Sequence, residues 1–113
     1  MAFQIIIKKR FANKVKKVVT YFKKERSHNV ASDFLLKIDR RFELLAWEPY
    51  IGALSPKVND IRGLLIIRHN RLYYKINGNK VIILNMYDTR MNPKRNPYKK
   101  WLEIENPILI FVG

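Results

Sequence analysis

The sequence predicts an α+β domain in which an N-terminal strand is followed by a two-helix antiparallel hairpin and then by an antiparallel meander of three to four strands. Three observations support this order. Two stretches repeat apolar residues with a helical period, three later stretches are short and rich in Ile, Leu, Val and Tyr, and turn-forming residues separate them. A chain of 113 residues is long enough for one such domain.

The first strand is predicted over residues 3–7, which are mostly β-branched or aromatic and which end at the basic residues 8–10. A helix is then predicted over about residues 12–25. Its apolar residues recur at the spacing of one helical face: Val15, Val18, Val19 and Phe22. The opposite face carries five lysines and is predicted to be solvated.

A second helix is predicted to run to about residue 47, because polar residues 27–29 supply capping chemistry at its start and Pro49 and Gly52 end it. Its apolar stripe consists of Ala31, Phe34, Leu35, Ile38, Phe42 and Leu45. Two amphipathic helices with so short a connection pack as a hairpin, and their apolar faces need a common surface to cover.

That surface is the predicted meander over residues 64–68, 72–76 and 80–87, which follows a loop at 50–59. The last turn of the meander contains Asn77-Gly78, a pair that favours positive φ in hairpin turns. The helices should cover one face of the sheet and leave the other face, or a groove beside it, open.

The sequence after the meander divides into two parts. Residues 1–98 form the predicted domain, and residues 99–113 form a C-terminal extension in which 108–112 has the composition of an extra strand. Pro107 argues against a continuous element through the extension.

The charge is strongly positive, with 23 Lys and Arg against 9 Asp and Glu, a net charge of +14. Such a chain attracts anionic partners, either nucleic acid or an acidic protein. Because 48% of the residues are hydrophobic, it is a folding domain and not a disordered basic tail.

Cysteine is absent, which excludes disulfides and thiolate chemistry and is compatible with a reducing compartment. Apolar runs are far shorter than the roughly 20 residues that span a bilayer. We therefore expect a cytoplasmic protein. With two histidines and no cysteine, we expect no metal site and no cofactor.

The order of these elements, together with an ordered set of residues, resembles the RelE/ParE superfamily of bacterial toxins over roughly residues 3–98. The residues that carry the resemblance are Ala31, Phe34, Leu35, Pro49, Gly52, Arg71-Leu72-Tyr73-Tyr74 and Asp88-Thr89-Arg90.

The resemblance implies a toxin of a type II toxin–antitoxin system, with one of two activities. RelE-like members enter the ribosomal A site and cut mRNA, whereas ParE-like members poison DNA gyrase. The sequence favours a metal-independent endoribonuclease. The alternatives are a gyrase inhibitor without nuclease activity and a noncatalytic basic RNA-binding module.

Four residues are the predicted catalytic set: Arg71, Arg90, Tyr98 and Asp88. Arginine is suited to bind the phosphate at which RNA is cut, because its planar guanidinium group donates two parallel hydrogen bonds and keeps its charge. Tyr98 could stack on a base or exchange a proton, and Asp88 is the best-placed acid. The identity of the general base stays open, because neither Glu48 at the end of the second helix nor His69 in a turn has a defined place, and Asp88 also fits a local ion pair with Arg90.

Seven basic residues are predicted to contact nucleic acid: Lys57, Arg62, Arg68, Lys94, Arg95, Lys99 and Lys100. One branch of the RelE-like enzymes has lysines in the first meander strand, where we align Leu64 and Ile66. The resemblance also implies an acidic cognate antitoxin, whose amphipathic helix or strand would cover the open groove and neutralise part of the positive charge. Ribosome and mRNA, or gyrase, are the expected targets.

Overall fold

Five strands form one mixed sheet in the computed structural model, which describes residues 2–90 of the chain. In chain order the elements are β1 (Gln4–Ile7), α1 (Lys9–Glu25), α2 (His28–Trp47), β2 (Ala53–Leu54), β3 (Arg62–Ile67), β4 (Asn70–Asn77) and β5 (Lys80–Asp88). The order across the sheet is β1-β5-β4-β3-β2. The predicted fold class is confirmed.

The meander consists of β2 to β5, in which each strand is antiparallel to its neighbour. It includes one strand more than the three predicted runs, because β2 lies in the region 50–59 that was predicted as a loop. β1 joins the far side of the sheet, parallel to β5, with Gln4 opposite Lys80 and Ile7 opposite Ile83. The helical hairpin is therefore the connection that carries the chain from one edge of the sheet to the other.

Helix α1 begins at Lys9, before the predicted start at residue 12, and buries Phe11 in its first turn. Lys23 and Lys24 lie in its last turn, where cations interact favourably with the helix dipole. Helix α2 begins after Ser27, whose hydroxyl accepts a hydrogen bond from the backbone N–H of Val30 at 3.1 Å. The polar stretch before α2 thus caps it as predicted.

The turn between β4 and β5 contains Gly78 and Asn79 between the paired residues Asn77 and Lys80. Gly78 has φ +61°, a conformation that glycine adopts without steric cost. The Asn77-Gly78 pair therefore predicted the position of this hairpin turn correctly.

The helices cover one face of the sheet, and the core lies between these two layers. Its fully buried residues come from both helices and from β3, β4 and β5: Phe11, Phe34, Ile38, Leu45, Ile66, Leu72, Tyr74, Val81, Ile83 and Met86. The rings of Phe22 and Phe34 meet edge to face with centroids 5.5 Å apart, which joins α1 to α2.

The loop after α2 is tied to the core by the hydroxyl of Tyr74, which has no exposed surface. This hydroxyl donates to the carbonyl of Pro49 at 2.7 Å and accepts from the N–H of Gly52 at 2.9 Å. Burial raises the pKa of Tyr74, which keeps the hydroxyl protonated for this donation. Arg62 donates to the carbonyls of Tyr50 and Gly52 at 3.0 and 2.8 Å.

Residues 91–113 lie outside the described residues, and so does the extra strand predicted within 99–113. Neither helix in the described part of the chain is long and apolar enough to span a membrane.

We predict that Tyr74→Phe lowers the free energy of unfolding by about 2–4 kcal/mol, because the buried carbonyl of Pro49 and N–H of Gly52 each lose their hydrogen-bond partner. Urea denaturation at neutral pH measures the change. Tyr21→Phe is the matched control, since this ring is 55% exposed, and its effect should stay within about 0.5 kcal/mol. Equal changes in the two variants would contradict the role assigned to Tyr74.

Candidate functional site

The two arginines of the predicted catalytic set lie on opposite faces of the sheet. Side chains alternate along β4, so that Leu72 faces the helices and Arg71 faces away from them. On β5, Tyr87 pairs with Arg71 and shares its face, whereas Asp88 lies on the helix side. Arg90 follows Asp88 on that side.

Arg71 lies with its stem across the neighbouring strand at Gly63. A Cβ on Gly63 would come within 2.9 Å of Cδ of Arg71, so the absence of a side chain there makes room for the arginine. The Nε atom of Arg71 is buried and has no hydrogen-bond partner. A buried donor of a charged group that makes no hydrogen bond lowers the stability of the fold.

Tyr73, Asn85 and Tyr87 share the side of the sheet that carries Arg71, and Lys14 contacts Tyr87, so we call these five residues the Arg71 face. Nδ2 of Asn85 donates to the hydroxyl of Tyr87 at 3.3 Å, and the rings of Tyr73 and Tyr87 have centroids 6.2 Å apart. Nζ of Lys14 lies 3.4 Å from the centre of the Tyr87 ring, a cation–π contact. Burial lowers the pKa of Lys14, and nearby cations lower it further.

On the other side of the sheet, a groove of about 510 Å³ runs between the two helices and the turn that joins β3 to β4. We call it the helix groove. Its apolar lining consists of Val18, Phe22, Val30, Phe34 and Ile67. Its polar and charged lining includes Arg26, Asp33, Lys37, Arg68, His69, Asp88 and Arg90.

Asp88 and Arg90 form an ion pair at the mouth of the helix groove. Nη2 of Arg90 donates to Oδ2 of Asp88 at 2.7 Å, and Nε of Arg90 donates to Oδ1 at 3.1 Å. The backbone N–H of Arg90 also donates to Oδ1, at 2.8 Å. These hydrogen bonds lower the pKa of Asp88, and the carboxylate in turn raises the pKa of Arg90. The local ion pair that the spacing allowed is therefore present.

Comparison with known proteins assigns the chain to a family. The family model for the ParE toxin of the type II toxin–antitoxin system parDE matches residues 5–93, most of the chain. The chain belongs to the ParE toxin family. No curated protein matches it. A cognate antitoxin partner follows from membership of this family.

Two solved structures share the fold of this chain. A chain of the chromosomal ParDE system from P. aeruginosa superposes with a TM-score of 0.66 at 16% identity, covering 77% of this chain and 96% of that chain. The toxin RelE of E. coli, in the free state and with two arginines replaced by alanine, gives 0.61 at 14% identity, covering 87% and 95%. At these identities the likeness concerns the fold alone.

Three of the four predicted catalytic residues lie in the described part of this toxin, and those three do not line one cavity. Asp88 and Arg90 line the helix groove, and Arg71 is not part of its lining. Tyr98 lies outside the described residues, so its distance from Arg71 and Arg90 stays untested.

The predicted nucleic-acid contacts are similarly dispersed. Arg68 is exposed beside the helix groove, Lys57 is exposed in the loop after β2, and Arg62 binds two loop carbonyls. Four of these predictions lie outside the described residues: Lys94, Arg95, Lys99 and Lys100.

The strand positions aligned with the lysines of some RelE-like enzymes face the core of this toxin. Ile66 is buried and Leu64 packs against the core. The positions of β3 that share the face of Arg71 are Gly63 and Leu65, and neither carries a charge. The sequence predicts Lys14 on the solvated face of α1, whereas the structure places its Nζ over the ring of Tyr87.

Residues 2–90 contain no group of three or more His, Asp or Glu side chains that could hold a metal ion. The chemistry available on the Arg71 face is binding of anions by the guanidinium of Arg71 and the ammonium of Lys14.

We predict that Arg90→Ala raises the pKa of Asp88 towards its ordinary value, because the hydrogen bonds from the guanidinium are the main cause of its depression. A carboxyl group with a depressed folded-state pKa stabilises the fold above its unfolded pKa, and this stabilisation disappears as the pH falls through the folded pKa. NMR titration of the Asp88 carboxyl carbon in wild type and variant measures the shift. Arg40→Ala, at an exposed position on α2, should leave the titration unchanged.

Proposed function

We propose that this toxin inhibits DNA gyrase by binding to it and that it does not itself cut nucleic acid. Membership of the ParE family supports a ParE-like activity. The observation that carries the proposal is the separation of Arg71 from the Asp88–Arg90 pair by the sheet.

Cleavage of RNA without a metal needs a base for the 2′-hydroxyl, cations for the phosphate and an acid for the leaving oxygen, all within hydrogen-bond reach of one phosphate. The arginine with an unused donor lies on one face, while the imidazole of His69 and the carboxylate of Asp88 line the groove on the other. Arg90 is already held by Asp88. A protein that acts by binding requires no such constellation.

A second candidate is cleavage of mRNA on the ribosome, and the unpartnered Nε of Arg71 favours it. In this alternative Arg71 and Arg90 hold the scissile phosphate, Asp88 exchanges a proton and Tyr98 assists. It requires the pair between Asp88 and Arg90 to break, so that Arg90 can reach the face of Arg71. The predicted basic residues would then contact ribosomal RNA.

We predict that the purified toxin inhibits supercoiling by gyrase, causes double-strand breaks in cellular DNA and leaves ribosome-bound mRNA intact. Arg71→Ala should retain all three properties, because gyrase inhibition does not use the guanidinium as a catalyst. Supercoiling assays and mapping of mRNA ends measure these outcomes. Arg40→Ala, with an exposed arginine on α2, is the matched control.

If the wild type instead cuts ribosome-bound mRNA, and if Arg71→Ala abolishes cutting while Arg40→Ala does not, the second candidate replaces the first. Toxicity without either effect would reject both.

The helix groove is the surface that we propose for the antitoxin. Part of its lining is apolar, and its described lining carries four Arg and Lys against two Asp, a net charge of +2. An amphipathic helix with an apolar face and acidic flanks complements both properties. Tyr21 and Val30 remain 55% and 40% exposed at this groove, so apolar surface is available for burial.

We predict that Val30→Glu weakens binding of the co-encoded antitoxin at least tenfold, because it places a like charge against an acidic helix and removes apolar contact. Leu36→Glu is the matched control: Leu36 is 46% exposed on the same helix and does not line the groove. Titration calorimetry at two salt concentrations measures the affinity and its electrostatic part. Equal losses in the two variants would show that the antitoxin does not dock in the groove.

A further inference from the structure

Helix α1 concentrates positive charge in a way that α2 does not. The 17 residues of α1 include seven Lys and Arg and one Glu, a net charge of +6. The 20 residues of α2 contain three Lys and Arg and three Asp and Glu, which cancel. Nearly half of the net charge of +14 therefore lies on one helix.

Six of the cations form two rows along the exposed side of α1. Members of a row are seven residues apart, which is close to two helical turns and spaces them by about 10 Å. The two rows lie about 100° apart around the helix axis. They consist of Lys9, Lys16 and Lys23, and of Arg10, Lys17 and Lys24. Asn13 and Thr20 lie between the rows, and we call these eight exposed residues the α1 basic face.

The charge of the α1 basic face is not neutralised within the toxin. In the described part of the chain, none of its six cations forms an ion pair with a carboxylate. The first turn of α1 has no acidic residue, although negative charge is favourable there, and it carries Lys9 and Arg10 instead. Burial lowers the pKa of Lys14, and the charges of Lys17 and Arg10 lower it further, so cations of this helix repel one another. An anionic partner would relieve that repulsion.

We propose that the α1 basic face binds the phosphate backbone of duplex DNA. The proposed function names a protein target and gives α1 no contact with nucleic acid. Binding of DNA is therefore a second activity, carried by a different observation, and it can be measured with no gyrase present.

The composition of the α1 basic face favours nucleic acid over an acidic protein. Protein interfaces are centred on buried apolar or aromatic anchors, and none of the eight residues of this face is apolar. The larger apolar residues of α1 lie in the core or pack against it: Phe11, Val15, Val18, Val19 and Phe22. Interfaces with DNA are more polar and much more positively charged than interfaces between proteins.

The arrangement of the two rows favours a B-form duplex over an RNA duplex. An α-helix with its side chains is about 10–12 Å across, and the major groove of B-DNA is about 12 Å wide. A helix lying in this groove would place one row of cations beside each phosphate strand, with the short side chains of Asn13 and Thr20 towards the base edges. The major groove of A-form RNA is deep and narrow, and side chains cannot read it.

Fluorescence anisotropy with a short labelled DNA duplex and the full-length toxin tests the proposal. If all six cations contact phosphates, the logarithm of the association constant should fall with the logarithm of the salt concentration with a slope of about −5. The double variant Lys16→Glu/Lys17→Glu should bind about tenfold more weakly or worse. Its slope should be shallower by about 2, because two phosphate contacts are lost.

Arg40→Glu/Lys75→Glu is the matched control, since it makes the same change in net charge at exposed positions on α2 and β4. Its slope should equal that of the wild type, and its affinity should fall by much less. Thermal melting checks that each variant folds. Lys and Glu have similar helix propensities, so α1 should tolerate the exchange. If Lys16→Glu/Lys17→Glu is unfolded, Lys9→Glu/Lys23→Glu gives the same readout.

Equal losses of affinity and slope in the α1 variant and the control would overturn the proposal, because binding would then depend on net charge alone. Equal or tighter binding of an RNA duplex of the same sequence would overturn the choice of DNA. Absence of binding to the DNA duplex would refute the proposal and leave inhibition of gyrase standing, since the assay contains no gyrase. Conversely, a toxin that binds DNA through α1 but does not inhibit gyrase would support the proposal and refute the proposed function.

Discussion

One extra residue in β5 determines which side chains share a face in this toxin. Tyr73 pairs with Asn85, but the next residue of β4, Tyr74, pairs with Ile83, so that Leu84 has no partner and forms a bulge. Val81 and Ile83 face the helices before the bulge, and Met86 faces them after it. Strict alternation from Val81 would instead have turned Asn85 and Tyr87 towards the helices. The bulge therefore brings Tyr87 beside Arg71 and directs Asp88 into the helix groove, so that Arg71 and the Asp88–Arg90 pair lie on opposite faces of the sheet.

The buried hydroxyl of Tyr74 is a second constraint, because it fixes the loop between α2 and β2. β2 contributes only two residues to the sheet, Ala53 and Leu54, and so short a strand gains little stability from pairing alone. The hydroxyl of Tyr74 and the guanidinium of Arg62 hold the loop before β2 against β4 and β3. A Cβ on Gly52 would lie 2.6 Å from the hydroxyl oxygen, so this contact also restricts the residue type at that position. Arg62, which the sequence predicts to contact nucleic acid, thus has a structural role as well, because its Nη1 donates to the carbonyls of Tyr50 and Gly52.

Sequence patterns predicted both helices and the longer strands well, because each pattern depends on residues that are close together in the chain. The helical spacing of Val15, Val18 and Val19, the cap at Ser27 and the turn at Gly78 are all determined within a few residues. The short strand β2 could not be predicted, since its two residues have no period of their own and follow a loop that is held by the distant hydroxyl of Tyr74. The bulge at Leu84 could not be predicted either, because Ile, Leu and Val run through both faces of β5 without marking the extra residue.

Local sequence patterns do not show how strands pair, and this also explains why the geometry of the candidate site was predicted only in part. Arg71 was identified from its residue type and position, and the structure adds that its Nε lacks a partner and that its stem crosses Gly63. The pair of Asp88 and Arg90 was foreseen as one of two alternatives because the two residues are close in sequence. Whether Arg71 and Arg90 share a cavity depends on which residues of β5 face the helices. The pairing of β5 with β4 decides this, and one sequence does not show how strands pair.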